Sequence, residues 1–257
     1  MLPWKVPSAA PLPSRPPRRE DIHPHARLAA RPYTVRAPEL TTLALARAPI
    51  HPGSMELPPI VLAGRAVLRK PAAPVPPEEI GTKRLKHLVS TMVSVMRKAP
   101  GVGLAAPQIG VDQQVIVLED SEELMSRLTP GQRAERGRVP FRLRVIINPT
   151  LRVLAPSLPD AAGAGRATFF EGCLSVPGYM ALVERDLSVE VSGVDEDGKE
   201  VRWEATGWPA RILQHEVDHL RGTLYVDRMV TRSFCSNEEA KLLLSLSVAE
   251  ARAALGA

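Results

Sequence analysis

Seven consecutive residues, Gln-His-Glu-Val-Asp-His-Leu at 214–220, restrict the fold more than any other stretch of this chain. On an α-helix His215 and His219 lie one turn apart and project from the same face, so both imidazoles can reach one metal ion. Glu216 is offset from His215 by about 100° and can reach a water held at the same point. A purely structural metal site has no use for a general base, so the intervening glutamate points to chemistry. The predicted helix runs from about Trp208 to Arg221: Pro209 is tolerated in a first turn, and Gly222 suits the position just past the end. Such a helix needs a third ligand from elsewhere, so the rest of the chain must fold around it.

The third ligand decides the kind of chemistry. One class of metalloprotease continues the motif to a third histidine, and Gly222 is in place for it, but Tyr225 stands where that histidine belongs. Another class takes a downstream glutamate, and Glu238 and Glu239 lie close to its range. They are explained more simply as first-turn acids complementing a helix dipole. Cys235 would complete a closed Cys2His2 structural-zinc set with Cys173, although its surroundings, Thr-Arg-Ser-Phe-Cys-Ser-Asn-Glu, read as a linker into the last helix. Cys173 alone, in Glu-Gly-Cys-Leu-Ser, is a glycine-flanked thiol between strand-like stretches and is well suited to metal approach. Taken by itself it reads first as a small buried hydrophobe. Two cysteines in 257 residues are too few for a disulfide framework, which puts a ligand or catalytic role first.

Around the metal helix the pattern is mixed. Thr82 is a plausible N-cap for a helix carrying Leu85, Leu88, Val89, Met92, Val95 and Met96 at helical spacing, and Pro100-Gly101 stops it. The Gly-rich stretch 101–110 follows, then a strand over 113–119, a polar insertion or exposed helix-loop over 121–140, and a second strand from Phe141 to Pro149. Residues 155–167 read as a loop rich in Gly, Pro and Ala, and 167–206 hold four short β patterns with a hairpin turn at Asp195-Glu196-Asp197-Gly198. A last helix is predicted from Asn237 to about Ala254. The class is α+β: a strand-rich body of short antiparallel sheets around a central metal-binding helix, with one helix on the N-terminal side and one at the C-terminus. The domain reading is 1–55 outside the fold, 56–236 catalytic, and 237–257 the C-terminal helix.

Charge separates the first segment from the rest. The chain has 33 basic and 28 acidic residues; eight and three of these fall within 1–55, leaving 25 of each elsewhere. The catalytic region therefore offers no basic footprint for nucleic acid, and direct nucleic-acid binding is not expected. Residues 1–55 also hold 11 of the 26 prolines, which block helices and sheet ladders. An Arg-rich, acid-poor segment of this kind fits an organelle transit presequence. No apolar run approaches the roughly 18 residues that span a bilayer, so a membrane span is not expected.

Three short motifs occur in order: Gly-Val-Gly-Leu-Ala-Ala-Pro-Gln-Ile-Gly at 101–110, Glu-Gly-Cys-Leu-Ser at 171–175, and Gln-His-Glu-Val-Asp-His-Leu at 214–220. Together they resemble the three signature motifs of the peptide deformylases. The resemblance covers roughly residues 58–235, and Gly-Trp-Pro-Ala-Arg-Ile-Leu-Gln-His-Glu at 207–216 is similar to the organellar branch of plants and algae.

The resemblance implies metal ligation by Cys173, His215 and His219, with water as a fourth ligand and Glu216 as general base. It implies Gln108 and the backbone N–H of Leu174 as donors to the oxyanion. Val102, Gly103 and Gly172 would flank the bound peptide backbone, and Trp208 and Ile212 would help line the pocket for the methionine side chain. It favours Fe2+, where the Cys-His-His set alone suggests Zn2+, and leaves Ni2+ and Co2+ open. The implied reaction is removal of the N-formyl group from the initiator methionine of nascent organellar polypeptides, with transient contact to the organellar ribosome. A homodimer is compatible, and the mitochondrial matrix is favoured over the plastid stroma. An HExxH metallopeptidase and a structural zinc module through Cys235 are the rival readings. The sequence departs from the family in the 155–165 insertion and at Met180, where bacterial members tend to carry arginine.

Overall fold

The computed structural model describes residues 56–126, 128–155 and 165–257. The presequence reading of 1–55 and residues 156–164 of the insertion lie outside the described residues.

The first long helix, α1, spans Lys83–Lys98, and its first turn is capped by the Thr82 hydroxyl, which accepts from the Leu85 N–H at 3.3 Å. The Gly-rich stretch that follows is more than a turn: it forms strand β1 (Gly103–Ala105) and a 3-10 turn over Ala106–Ile109. Strand β2 is Val115–Asp120, and the polar insertion forms two short helices, α2 (Glu122–Met125) and α3 (Pro130–Glu135). Strands β3 (Phe141–Val153), β4 (Arg166–Cys173), β5 (Val176–Asp186), β6 (Ser188–Val194) and β7 (Glu200–Thr206) come next. The metal-type helix is α4, Trp208–Leu220, followed by strand β8 (Cys235–Ser236) and helices α5 (Asn237–Leu243) and α6 (Val248–Leu255).

The strands form two antiparallel sheets, one in the order β1-β2-β3-β6-β7 and one in the order β4-β5-β8. The larger sheet is covered on both faces. Val115 and Val117 of β2 point into the cluster built by α1, while Ile116 and Leu118 point into the cluster built by Ala210, Leu213 and Val217 of α4. Side chains alternate across a strand, so burial on both faces requires the unbroken apolar run that β2 shows. Helix α4 thus lies with its apolar face on the larger sheet and its opposite side towards β4 and β5.

Two expectations are corrected. Strand β3 does not end at Pro149 but continues to Val153. The ladder shifts register between Ile147 and Thr150, and Asn148 takes φ +51°, so Pro149 falls in an irregularity where no ladder donor is needed. The Asn148 side chain accepts from Val75 N–H and donates to Val75 C=O, tying the bulge to the N-terminal segment. The C-terminal segment is two helices instead of one. The Ser247 hydroxyl and Glu250 carboxylate form a reciprocal capping box, which starts a new helix and outcompetes continuation of α5.

The entry to α4 is fixed by Gly207, whose φ of +70° and ψ of −131° suit only glycine. A Cβ there would stand 2.7 Å from the Gly137 carbonyl oxygen and 2.9 Å from that of Arg136, both backbone atoms. Gly207→Ala is expected to destabilise the fold by about 2 kcal/mol or more, read from the urea unfolding midpoint.

Candidate functional site

A cleft of about 590 Å3 opens where β4 and β5 face α4. Cys173 ends β4, and His215 and His219 stand on α4; one donor atom from each lies within 4.8 Å of the others, an arrangement that could hold a metal ion. Cys173 Sγ is 3.3 Å from His219 Nε2. Tetrahedral coordination with ordinary metal–sulfur and metal–nitrogen bonds needs separations of about 3.5 Å, so the donor set fits a divalent metal with little movement. Ser175 N–H also donates to Cys173 Sγ, at 3.4 Å.

The imidazoles are oriented from behind. His215 Nδ1 lies 3.1 Å from Glu171 Oε2, which holds the proton on Nδ1 and leaves Nε2 free for a ligand. Glu171 also accepts from Arg185 and Arg211, and Arg185 reaches on to Asp218, which is held by Arg228 as well. Burial alone would raise the Glu171 carboxyl, but the His215 bond and the Arg185 guanidinium outweigh it and hold the group well below the usual carboxylate range. Burial likewise opposes charge on His215, yet its bonds to Cys173 and Glu171 push it well above the ordinary imidazole range. Burial and the neighbouring charge of His215 push His219 the other way.

Glu216 is different in kind. It is buried, its Oε2 has no hydrogen-bond partner, and burial pushes its pKa up to about 7, with Glu171 adding to the rise and His215 opposing it. Its Oε1 lies where a Cβ on Gly103 would come within 2.2 Å, so Gly103 makes room for this carboxylate. From the sequence alone, glycine there was expected to serve the approach of a bound backbone.

Gln108 is equally constrained. Its Oε1 accepts from Ala105 N–H at 2.9 Å, which turns the amide Nε2 towards Cys173 Sγ (3.6 Å) and Ser175 Oγ (3.3 Å). The donor end of the amide is thus fixed at the cleft by a backbone bond to the acceptor end.

Val102, Gly103, Gln108, Gly172, Leu174, Trp208, Ile212, His215 and Glu216 all line the cleft with Cys173, while His219 is buried beneath it. Cys235 does not join them. It pairs with Met180 across β5 and β8, its Sγ is 3.8 Å from the Met180 carbonyl oxygen, and it stands outside the metal-capable group. Glu171 and Asp218 stand within the sequence motifs, but no role is legible for them there. Glu171 is two residues before Cys173 on a strand, hence on the same face, which was the available signal. Its partners Arg185 and Arg211 are brought in only by tertiary folding.

Two predictions follow from the charges. Glu171→Gln should weaken metal binding by roughly 10- to 100-fold in equilibrium dialysis, because the His215 imidazole loses its carboxylate partner. Glu216 has a folded pKa of about 7 against 4.5 unfolded, so between those values the folded state holds more protons and stability falls as pH rises. Glu216→Gln carries no such charge. In chelated protein its stability relative to wild type should increase by up to about 3 kcal/mol between pH 4.5 and 7, measured by urea unfolding.

The polypeptide deformylase family model matches residues 57–234. The chain is 51% identical over 189 residues to peptide deformylase 1A, chloroplastic, of Solanum lycopersicum, a match covering 74% of this chain and 65% of that protein. It is 48% identical over 171 residues to the mitochondrial peptide deformylase of Homo sapiens, covering 66% and 67% respectively. The matched region thus spans just under two thirds of the tomato relative's length. Among solved structures, the Met-Ala-Ser-bound class I type b peptide deformylase of Acinetobacter baumannii superposes with a TM-score of 0.56 at 32% identity, covering 68% of this chain and 99% of that one.

Proposed function

This chain belongs to the polypeptide deformylase family, and we propose that it hydrolyses the N-formyl group from N-formylmethionine at the start of newly made organellar polypeptides, releasing formate. The observation that carries this reading is the convergence, in one cleft, of the Cys173-His215-His219 donors, the Glu216 carboxylate and the fixed Gln108 amide. The Acinetobacter relative is bound to Met-Ala-Ser, the peptide that deformylation of formyl-Met-Ala-Ser would leave, which supports the substrate class.

In this reading Cys173, His215 and His219 hold one divalent metal, Fe2+ by family resemblance, with Zn2+, Ni2+ and Co2+ suited to the same donors. The metal, when bound, supplies the Lewis acidity that polarises the formyl carbonyl and makes water a competent nucleophile near neutral pH. Glu216 takes the proton of the attacking water and passes it to the leaving amine. Its buried Oε2 has no hydrogen-bond partner and is open to take up that proton and hand it on. Gln108 Nε2 and the Leu174 N–H donate to the formyl oxygen as charge builds on it, each worth roughly 10²–10³ in rate. The substrate backbone runs between Val102-Gly103 and Gly172, and the methionine side chain enters between Trp208 and Ile212. The nascent chain is met at the organellar ribosome, transiently, and a second copy of the chain is a candidate partner. The Arg- and Pro-rich composition of 1–55, with relatives named chloroplastic and mitochondrial, supports an organellar destination, the mitochondrial matrix ahead of the plastid stroma.

Glu216→Ala should retain metal by elemental analysis while turnover of formyl-Met-Ala-Ser falls at least roughly 100-fold. Unchanged turnover removes Glu216 as the base. Cleavage of unformylated peptides with no formate release would favour the metallopeptidase reading, and loss of metal in Cys235→Ser would favour the structural-zinc reading.

A further inference from the structure

The mouth of the cleft carries an aromatic pair that the hydrolysis of a formyl group does not require. Tyr179 lines the cleft and is 46% exposed; Phe234, beside it, is 41% exposed. Their rings stack with centroids 4.9 Å apart and planes 9° from parallel. Such large exposed aromatics cost apolar hydration unless something covers them.

The pairing of β5 with β8 explains why they meet. Tyr179 stands opposite Ser236, and Phe234 is two positions before Ser236, so the rings are diagonal neighbours on one face, within aromatic reach. The Tyr179 backbone is also pinned, since its carbonyl accepts from the Tyr225 hydroxyl at 3.1 Å. Tyr225 is buried against His215, with ring centroids 6.4 Å apart, so the lip is tied to the metal-type helix. Phe234 stacks on the Tyr179 ring, and Tyr179 stays exposed as part of the cleft lining. Phe234 ends the stretch that matches the family, and Asn237 and Leu244 beyond it line the same cleft. The chain's own C-terminal segment therefore builds this side of the mouth.

We propose that Tyr179, backed by Phe234, is a specificity subsite for an aromatic side chain carried by one of the two residues that follow formylmethionine. The proposal rests on the deformylase reading and adds a preference among formylated substrates. The occupant is the substrate because the ring is continuous with the cleft that receives it. The chemistry selects a planar apolar group, since a third ring extends a stack already held in place. Tyr179 is the contacting residue and Phe234 a positioning residue acting through it. An aromatic contact of this kind is worth roughly 2- to 10-fold in binding.

The test compares kcat/KM for formyl-Met-Ser-Ser, formyl-Met-Phe-Ser and formyl-Met-Ser-Phe with the full-length, metal-loaded protein. One phenylalanine peptide should exceed the all-serine peptide by roughly 2- to 10-fold, carried by KM with little change in kcat. Tyr179→Ala and Tyr179→Ile, the latter keeping a strand-forming residue in β5, should both abolish that ratio, and Phe234→Ala should reduce it. Equal turnover of the three peptides by the wild type, or a ratio that persists in both Tyr179 variants, overturns the subsite and leaves the deformylase reading standing. No turnover of any of the three by the wild type overturns that reading and the subsite with it.

Discussion

The carboxylate of Glu171 is the point on which the site depends. It receives His215 Nδ1, Arg185 and Arg211 together, and so joins strand β4, strand β5 and helix α4 in one buried cluster. The apolar face of α4 is already committed to the larger sheet, so its other side meets β4 and β5 through charge. Buried ion pairs add little net stability compared with well-packed apolar residues, but breaking one strands a charge at a cost of about 3–5 kcal/mol. The value of the cluster is therefore registry. It sets which turn of α4 faces the end of β4, and with that the separation of Cys173 from the two histidines.

The same geometry separates the roles of two glutamates. Glu171 is bonded to two guanidiniums and His215 and stays ionised, whereas Glu216 is equally buried with no cation bonded to it, and burial pushes its pKa up to about 7. One holds the His215 ring; the other keeps an oxygen without a hydrogen-bond partner. Gln108 shows the complementary device, a side chain whose acceptor end is occupied by its own backbone so that only its donor end faces the cleft. The 3-10 turn over Ala106–Ile109 puts Gln108 three residues after Ala105, close enough to make that bond.

The mouth of the cleft draws on elements outside the three motifs. Gln132 of α3 donates to the Leu244 carbonyl at the end of α5 at 3.2 Å, so the polar insertion and the C-terminal segment meet beside it. Both supply lining residues, and Phe234, just before β8, completes the aromatic lip.

Local patterns with a fixed period were legible in the sequence: the i, i+4 histidines and their intervening glutamate, the Thr82 cap, the alternating strands of 167–206, and the Asp195–Gly198 hairpin turn. These follow from helical and strand repeats, and from turn chemistry, that act over a few residues. The unbroken helix over 237–254 and the strand end at Pro149 were misjudged because a capping box and a bulge compete with periodicity at short range. Sequence by itself put two histidines and a glutamate on one helix and offered Cys173 and Cys235 as candidate further ligands. Tertiary structure decided that Cys173 and not Cys235 stands by the histidines, that Gly103 makes room for Glu216, and that Arg185 and Arg211 hold Glu171. Each of those results depends on how two sheets and a helix cross, and contacts between residues distant in the chain leave no periodic trace in it.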